Sequence, residues 1–268
     1  MVQYGKGEYS KVEIEGRLMV VTINRPEVYN ALHPMANQEL GDVFDAFAAD
    51  PELWVAIITG AGDKAFSAGN DLKYHAKLQA ETGKRPHSPP KGFGGLANRF
   101  DLDKPVIAAV NGVAMGGGFE IALACDIIIA SDQAKFALPE PKVGLAAGAG
   151  GMQRLSRQIP LKKAMGMMLT GRHVPAKEGF ELGFVTAVVP HAKLMAEARG
   201  WAQQILDCSP MSIRATKQVV MRSLDVPATE MAMRNQSYPS FVAMAQSADT
   251  IEGPRAFAEK RKPNWTGK

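Results

Sequence analysis

Apolar and polar residues alternate in the first part of the chain with the spacings of both strands and helices. Val12–Ile14 and Leu18–Ile23 are apolar runs separated by a Glu-Gly pair, which predicts two strands joined by a tight turn. Helical spacing begins at Pro34, a suitable first helical residue, and stops before Pro51. Residues 55–59 form a short apolar run that ends in glycines, which predicts the next strand.

The pattern changes character along the rest of the chain. It predicts further elements, namely strands at 106–110, 127–130 and 134–137 and a helix at 71–79. Beyond Gly151 helical spacing dominates, with one strand-like run at 184–189. We therefore expect an α/β core over residues 1–190 and a C-terminal helical region over 191–268. Such a region can cover a partner subunit or form a lid on its own chain, and the pattern leaves both open.

Two segments repeat one order of elements. "VAIITGAGDKAFSAGNDL" and "VIAAVNGVAMGGGFEIAL" each run from a strand through a glycine turn and a second glycine site to the start of a helix. The residues themselves match too weakly for a sequence repeat. The shared order predicts that one supersecondary unit occurs twice.

Composition excludes several classes of protein. The chain has 268 residues, 46% hydrophobic and 22% charged, which is typical of a globular protein. The net charge of +4 is small and dispersed, which argues against nucleic-acid binding but suits a phosphate-bearing small molecule. We see neither a secretory signal nor an apolar run long enough for a membrane, so we expect a cytoplasmic protein. The two cysteines and five scattered histidines predict no metal site.

The glycine run at 116–118 is the most unusual local feature. Glycines that open a helix leave several backbone N–H groups unshielded, and such groups can hold an anion or a developing oxyanion. A tight turn with close strand–helix packing explains the run equally well. Glu120 then falls in the first helical turn among apolar residues, where a buried carboxylate needs a partner or a role.

A second glutamate lies twenty residues later. Glu140 stands between Pro139 and Pro141, which fix the backbone and so the direction of the side chain. Each glutamate alone is compatible with an exposed surface position. Together, converging on one pocket, Glu120 and Glu140 would suit a proton donor and a proton acceptor.

Two other motifs are misleading. Residues 60–65 fit G-x-G-x-x-A after a strand, with Glu81 near the distance of a ribose-binding acid, but the Ser-Ala-Gly at 67–69 breaks the helix that should follow. Ser67 lies in A-x-S-x-G, which lacks the first glycine of a nucleophile elbow and has no suitable histidine after it. We expect neither a dinucleotide site nor a serine nucleophile. Residues 81–95 are rich in Pro, Gly and charge, which predicts a mobile surface loop.

Several ordered segments resemble the enoyl-CoA hydratase/isomerase (crotonase) family. They are "AFSAGNDLK", "DKPVIAAVNGVAMGGGFEIALACDIIIA", "FALPEPKVGL", "GAGGMQRL" and "IEGPRAFAEKRKPNW", and they cover nearly the whole chain. The resemblance implies a crotonase-like superhelix of ββα units with a C-terminal helical trimerisation region. It also implies an acyl-CoA substrate, no separate cofactor, and a homotrimer or homohexamer. Within the family, most of these segments are similar to the carnitinyl-CoA dehydratase group, whereas "GLAAGAGGMQRL" is similar to general enoyl-CoA hydratases.

The resemblance also implies roles for particular residues. The backbone N–H groups of Asn70 and Gly117 would hold the thioester oxygen, and Glu120 and Glu140 would act as base and acid, as in hydratases that carry both. Residues implied to bind substrate or CoA are Ala68, Asn70, Asp71, Leu72, Lys73, Gly116, Gly117, Phe257 and Lys260. Isomerisation, thioester hydrolysis and a non-catalytic scaffold are the alternatives, and the presence of both glutamates favours hydration. The 81–95 loop is expected near the acyl group.

Overall fold

The protein, described here as a computed structural model, has two β-sheets surrounded by helices. The structure describes residues 7–83, 90–234 and 237–268. The strands are β1 (Ser10–Glu15), β2 (Leu18–Ile23), β3 (Val55–Gly60), β4 (Ala65–Ser67), β5 (Val106–Val110), β6 (Val113–Met115), β7 (Ile127–Ser131), β8 (Lys135–Ala137), β9 (Val174–Pro175) and β10 (Ala187–Val189). The helices are α1 (Pro34–Ala49), α2 (Leu72–Thr82), α3 (Gly117–Ala124), α4 (Gly151–Gln158), α5 (Leu161–Thr170), α6 (Ala176–Leu182), α7 (Leu194–Leu206), α8 (Pro210–Ser223), α9 (Thr229–Arg234), α10 (Pro239–Ala245) and α11 (Asp249–Ala258).

The larger sheet has six strands in the order β1-β2-β3-β5-β7-β10. The predicted N-terminal pair is confirmed: β1 and β2 are antiparallel, with Ser10 opposite Ile23, and Gly16 in the turn has a φ of +60°. The other neighbours in this sheet run parallel. Parallel strands need crossover connections, and here these carry the second sheet and the helices.

The smaller sheet has four strands in the order β4-β6-β8-β9. It confirms that one unit occurs twice, since β3-β4-α2 and β5-β6-α3 have the same order of elements. The first strands of the two units are neighbours in the larger sheet, and their second strands are parallel neighbours in the smaller one. The pattern missed β4 and β6, which are short strands lying between glycines, where no period of two is recognisable.

Each face of the larger sheet is covered by its own apolar cluster. On one face α1 and α3 pack against the sheet, and Phe119, Phe136 and Phe184 form a cluster of rings with centroids 5.1–5.2 Å apart. On the other face α7 supplies Leu194, Ala198 and Ala202, which pack against isoleucines of β3, β5 and β7. Helix α7 falls inside the predicted C-terminal region 191–268, yet it forms part of the core.

The helices after α7 are joined to the core by polar contacts. Lys217 on α8 contacts Asp126 at 2.7 Å, and the Asp103 carboxylate accepts hydrogen bonds from Gln218 and Ser240. Large apolar side chains remain exposed on these helices, namely Val220, Met221, Leu224, Met231, Met233, Val242, Ile251 and Phe257. Their exposure is compatible with the predicted contact with another subunit. Within the described ranges, no helix has the length and apolar character needed to cross a bilayer.

Candidate active site

A glycine turn between β6 and α3 brings two segments of backbone together. Gly69, with a φ of +86°, lies so close to this turn that a Cβ on it would be 2.5 Å from the Met115 carbonyl and 2.8 Å from the Gly117 nitrogen. A Cβ on Gly118 would overlap the carbonyl of Ser67. The close approach of the Gly69 segment to the start of α3 therefore requires glycine on both sides.

The amides of Asn70 and Gly117 are both available at this junction. Gly117 is the first residue of α3, so its N–H has no partner within the helix. In the part of the chain that the structure describes, neither amide donates a hydrogen bond to another protein group. Two neighbouring N–H groups of this kind are what a developing oxyanion requires.

The Asn70 segment is held from the opposite side. The Leu32 amide donates to the Gly69 carbonyl at 2.8 Å, and the Asp71 amide donates to the Leu32 carbonyl at 3.1 Å. Asp71 also forms a 3.1 Å ion pair with Arg25, in which both side chains are nearly buried, at 12% and 13% exposed. The other Asp71 oxygen caps α2 by accepting from the Tyr74 amide. The carboxylate predicted to line the CoA pocket is thus engaged in holding this loop.

Glu120 lies in the first turn of α3, as predicted, and its side chain is buried. It is 3% exposed, and its Oε1 accepts a 2.8 Å hydrogen bond from the Gly151 amide. Burial raises the pKa of Glu120 to about 7, and the nearby charge of Glu140 acts in the same direction. The amides of Gly151 and Ala149 and the charge of Arg154 oppose this rise. Such a pKa suits a group that exchanges a proton near neutral pH.

Glu140 also lies next to the glycine turn. It begins a 3-10 turn over Glu140–Val143, and a Cβ on Gly116 would lie 2.9 Å from its Oε1. Burial raises the pKa of Glu140, and its Oε2 is buried with no hydrogen-bond partner among the described residues. An unpaired buried oxygen is costly unless a ligand or water satisfies it. The structure thus brings Glu140, Gly116, Gly117 and Glu120 to one place.

The remaining predicted ligands lie apart from the two glutamates. Leu72 and Lys73 are exposed at the start of α2, and the Ala68 amide donates to the Tyr29 carbonyl. Phe257 and Lys260 are exposed at the end of α11, and none of the described hydrogen bonds or ion pairs joins them to the glycine turn.

Both misleading motifs are explained by the structure. Residues 60–65 lead into β4 rather than a helix, so they cannot hold a pyrophosphate at a helix N-terminus. Ser67 is fully buried, and its hydroxyl donates to the Asn30 carbonyl. Among the described residues, no cluster of metal-ligating side chains occurs. Residues 84–89 of the predicted 81–95 loop lie outside the described ranges, and residues 93–95 form a 3-10 turn packed on α1 and α3.

Three residues near the glutamates were not identified from the sequence. Gly151 donates to Glu120, Arg154 lies one turn further along α4, and a Cβ on Gly117 would overlap the ring of Phe93. The contacts of Gly151 with Glu120 and of Phe93 with Gly117 join residues more than twenty positions apart, so no local pattern indicates them. The sequence offered one signal for Arg154, namely its position beside the apolar Leu155 in a short helical segment.

Comparisons with known proteins identify the family of this chain. A family model described as enoyl-CoA hydratase/isomerase matches residues 13–268. Carnitinyl-CoA dehydratase from Citrobacter koseri is 45% identical over 257 residues, which are 94% of this chain and 96% of that protein. Among solved structures, enoyl-CoA hydratase from Mycobacterium tuberculosis is 36% identical with a TM-score of 0.89, covering 98% of this chain and 100% of that one.

A carnitinyl-CoA hydratase from Mycobacterium avium is also similar, at 39% identity and a TM-score of 0.75, with the same coverage of the two chains. The matches extend over both sheets and the C-terminal helices, so they confirm the predicted crotonase-like α/β fold and the predicted family. The chain belongs to the enoyl-CoA hydratase/isomerase family.

Proposed function

We propose that this protein is a hydro-lyase that reversibly adds water to the double bond of a 2-enoyl-CoA thioester. One observation carries the proposal: the buried Glu120 and the half-buried Glu140 flank a glycine turn that also presents two backbone N–H groups with no hydrogen-bond partner in the described part of the chain. A thioester oxygen on the two N–H groups would place its conjugated carbons between the carboxyl groups. The names of the similar proteins support the same chemistry.

The backbone amides of Asn70 and Gly117 stabilise the enolate. Negative charge develops on the thioester oxygen as water adds, and donors fixed in advance need not reorganise. One such donor contributes about 2.7–4 kcal/mol to the lowering of a barrier. Because Gly117 is the first residue of α3, the positive end of the helix dipole adds to the stabilisation.

The two glutamates move the protons. In hydration, ionised Glu120 takes a proton from water as the water oxygen bonds to Cβ, and the electron pair of the double bond passes into the enolate. Protonated Glu140 then delivers its proton to Cα, which re-forms the thioester. Dehydration is the reverse: Glu140 removes the Cα proton and Glu120 protonates the departing hydroxyl.

For hydration and for dehydration alike, Glu120 and Glu140 together must hold one proton. Glu120 is the more deeply buried carboxyl, and burial raises its pKa to about 7, so both its protonated and its ionised form are present near neutral pH. The protonated form is the one that dehydration requires. For hydration the proton must lie on Glu140, and the amide hydrogen bond to Glu120 stabilises the ionised form which that state requires.

The acyl group is proposed from the similar proteins. Carnitinyl-CoA dehydratases from Citrobacter koseri and from Escherichia coli are each 45% identical to this chain, which favours a short enoyl group bearing a trimethylammonium. Unsubstituted short enoyl-CoA is the alternative, since similar solved structures include proteins named only as enoyl-CoA hydratases. The absorbance of the conjugated thioester, followed with crotonobetainyl-CoA and with crotonyl-CoA in parallel, separates these two substrates.

Product mass tests the reaction itself. Addition of one water with CoA retained supports hydration, loss of CoA identifies thioester hydrolysis, and an unchanged mass with a moved double bond identifies isomerisation. Tight binding of several enoyl-CoA thioesters without turnover of any would overturn the proposal in favour of a binding protein.

We propose a homotrimer, or two such trimers as a hexamer, in which the exposed apolar side chains of α8–α11 are covered by another subunit. In that assembly Phe257 and Lys260 reach the CoA of a neighbouring site. Sedimentation gives the mass of the assembly. Lys260→Ala is expected to raise KM with little change in kcat, because it removes a contact distant from the reacting carbons.

A further inference from the structure

We infer that Arg154 is a positioning residue that clamps together the two loops on either side of Glu120 and supplies the cation acting on that carboxyl. The inference rests on the proposed function, because it assigns Arg154 a role through Glu120. Arg154 lies on α4, one turn after the Gly151 that donates to Glu120.

The guanidinium bridges two separate segments. Its Nη2 donates to the Ala97 carbonyl at 2.8 Å, and its Nη1 donates to the Ala149 carbonyl at 3.4 Å. Ala97 follows the 3-10 turn Phe93–Gly95, whereas Ala149 lies two residues before Gly151. One planar side chain with several fixed donors can hold both segments, which an ammonium group does less well.

Both bridged segments touch the catalytic groups. A Cβ on Gly117 would overlap the ring of Phe93, so the first segment packs directly on one of the two proposed oxyanion donors. The second segment carries the Gly151 amide that binds Glu120 Oε1. Loss of the bridge would therefore let the oxyanion donor and the carboxyl move relative to one another.

The surroundings of Arg154 are shaped to accept it. Gly150 has a φ of +101°, and a Cβ there would overlap the guanidinium. The guanidinium also lies over the ring of Phe100, 5.6 Å from its centroid. In the described part of the chain Arg154 forms no ion pair with a carboxylate, so its charge is not neutralised by direct contact.

The charge of Arg154 acts on Glu120 from a half-buried position. It lowers the pKa of Glu120, against the larger effect of burial, while Glu140 on its 3-10 turn raises it. Helix α3 also packs against β4, β6 and the Phe93–Gly95 turn, none of which contains a charged residue. Its Phe119 contacts Phe136 of β8, whose one charged residue, Lys135, is exposed. On α4 itself the other charged residue, Arg157, is exposed. Among the described residues, Arg154 is therefore the cation whose charge acts on the Glu120 carboxyl.

Two substitutions separate the bridge from the charge. Arg154→Gln keeps hydrogen-bond donors but removes the cation, whereas Arg154→Lys keeps the cation but loses the planar bridge. Arg157→Gln is the matched control, an exposed arginine on the same helix whose one hydrogen bond among the described residues goes to the Gln153 carbonyl. For all three variants kcat and KM are measured from pH 5 to pH 10, together with thermal stability.

We expect Arg154→Gln to move the whole pH profile of kcat/KM to higher pH by about 0.5 pH unit or more, because loss of a nearby cation favours the protonated form of a carboxyl group. We expect the Lys variant to keep the wild-type profile but to lose about 10–100-fold in kcat, because the loops are no longer aligned. The Arg157 control should match wild type in both respects.

Several results would overturn the inference. An unchanged pH profile in the Gln variant removes the electrostatic role, and full kcat in the Lys variant removes the bridge. If neither variant folds, Arg154 has a purely structural role and the inference also fails.

The test also distinguishes this inference from the proposed function. If wild type hydrates no enoyl-CoA, the proposed function fails, and Arg154 is still tested by the ¹³C titration of glutamate-labelled protein, with the Glu120 carboxyl assigned by its loss in Glu120→Gln. The Glu120 carboxyl should titrate at higher pH in Arg154→Gln than in wild type. An unmoved titration overturns the inference independently of turnover.

Discussion

The Gly151 amide donates a 2.8 Å hydrogen bond to Glu120 Oε1, and there is no room for a side chain between the two residues. A Cβ on Gly151 would lie 2.9 Å from that oxygen, 3.1 Å from Glu120 Cγ and 3.0 Å from the Ala147 Cβ. The position of the carboxyl therefore depends on the absence of a methyl group on α4.

Substitution of Gly151 by alanine should move the Glu120 carboxyl and lower kcat by about 10–100-fold. Overpacking should also cost about 1–3 kcal/mol of stability. The matched control is Gly166→Ala on α5, where a Cβ would have no atom within 4 Å and should leave activity unchanged. Equal activity in both variants would show that the position of Glu120 tolerates displacement.

Removal of either acid group should nearly abolish hydration. Glu120→Gln and Glu140→Gln are each expected to lower kcat by about 10²–10⁴-fold, because each removes one proton transfer. Glu140→Gln should also stop the uptake of solvent deuterium at Cα of the product. Full activity in both variants contradicts the assignment of both residues.

Charge and capping at Asp71 can be separated. Asp71→Asn retains an N-cap acceptor for the Tyr74 amide but loses the ion pair with Arg25, whereas Asp71→Ala loses both. Both variants should lower kcat, since the Asn70 amide is then held less firmly. The alanine variant should lose about 1 kcal/mol more stability in urea unfolding. Equal stability of the two variants would remove the capping role.

Lys104 should make stability depend on pH. It is 5% exposed, its Nζ donates to the carbonyls of Phe47 and Asp50, and burial lowers its pKa to about 8. Between pH 8 and about pH 10.4, the ordinary pKa of lysine, the unfolded chain therefore binds a proton that the folded chain lacks. The contribution of Lys104 to the free energy of unfolding therefore rises with pH between pH 8 and about pH 10.4, and it is lost as the pH falls towards 8.

The comparison with Lys104→Met isolates this effect. Urea unfolding of both proteins at equal concentration should show wild type gaining stability relative to the methionine variant between pH 8 and pH 10. The methionine has no proton to lose and so provides the pH-independent reference at this position. A constant difference between the two proteins would mean that Lys104 keeps its ordinary pKa in the fold.

Sequence reasoning predicted elements better than it predicted contacts. Strands and helices with four or more periodic residues, such as α1, were identified within a few residues, because their apolar spacing follows from one buried face. The three-residue strands β4 and β6 were missed, since their pairing depends on each other and not on a local pattern. A helix was expected where α7 lies. Its apolar spacing indicates that one face is buried, but does not indicate that this face packs against the larger sheet.

The candidate site shows the same limit. Glu120 and Glu140 were singled out because one falls among apolar residues at a predicted helix start and the other stands between two prolines, although each alone was compatible with a surface position. Their convergence on one turn was implied by the family resemblance, since nothing local relates two residues twenty positions apart. The hydrogen bond from Gly151 and the bridge by Arg154 depend on tertiary packing, so no pattern could indicate them.

The pairing of β4 with β6 has a consequence for the two amides proposed as oxyanion donors. Asn70 follows the second strand of the first ββα unit and Gly117 follows that of the other, so each unit contributes one amide. One unit alone would present a single donor. In the proposed function, polarisation of a thioester therefore depends on the two units lying side by side.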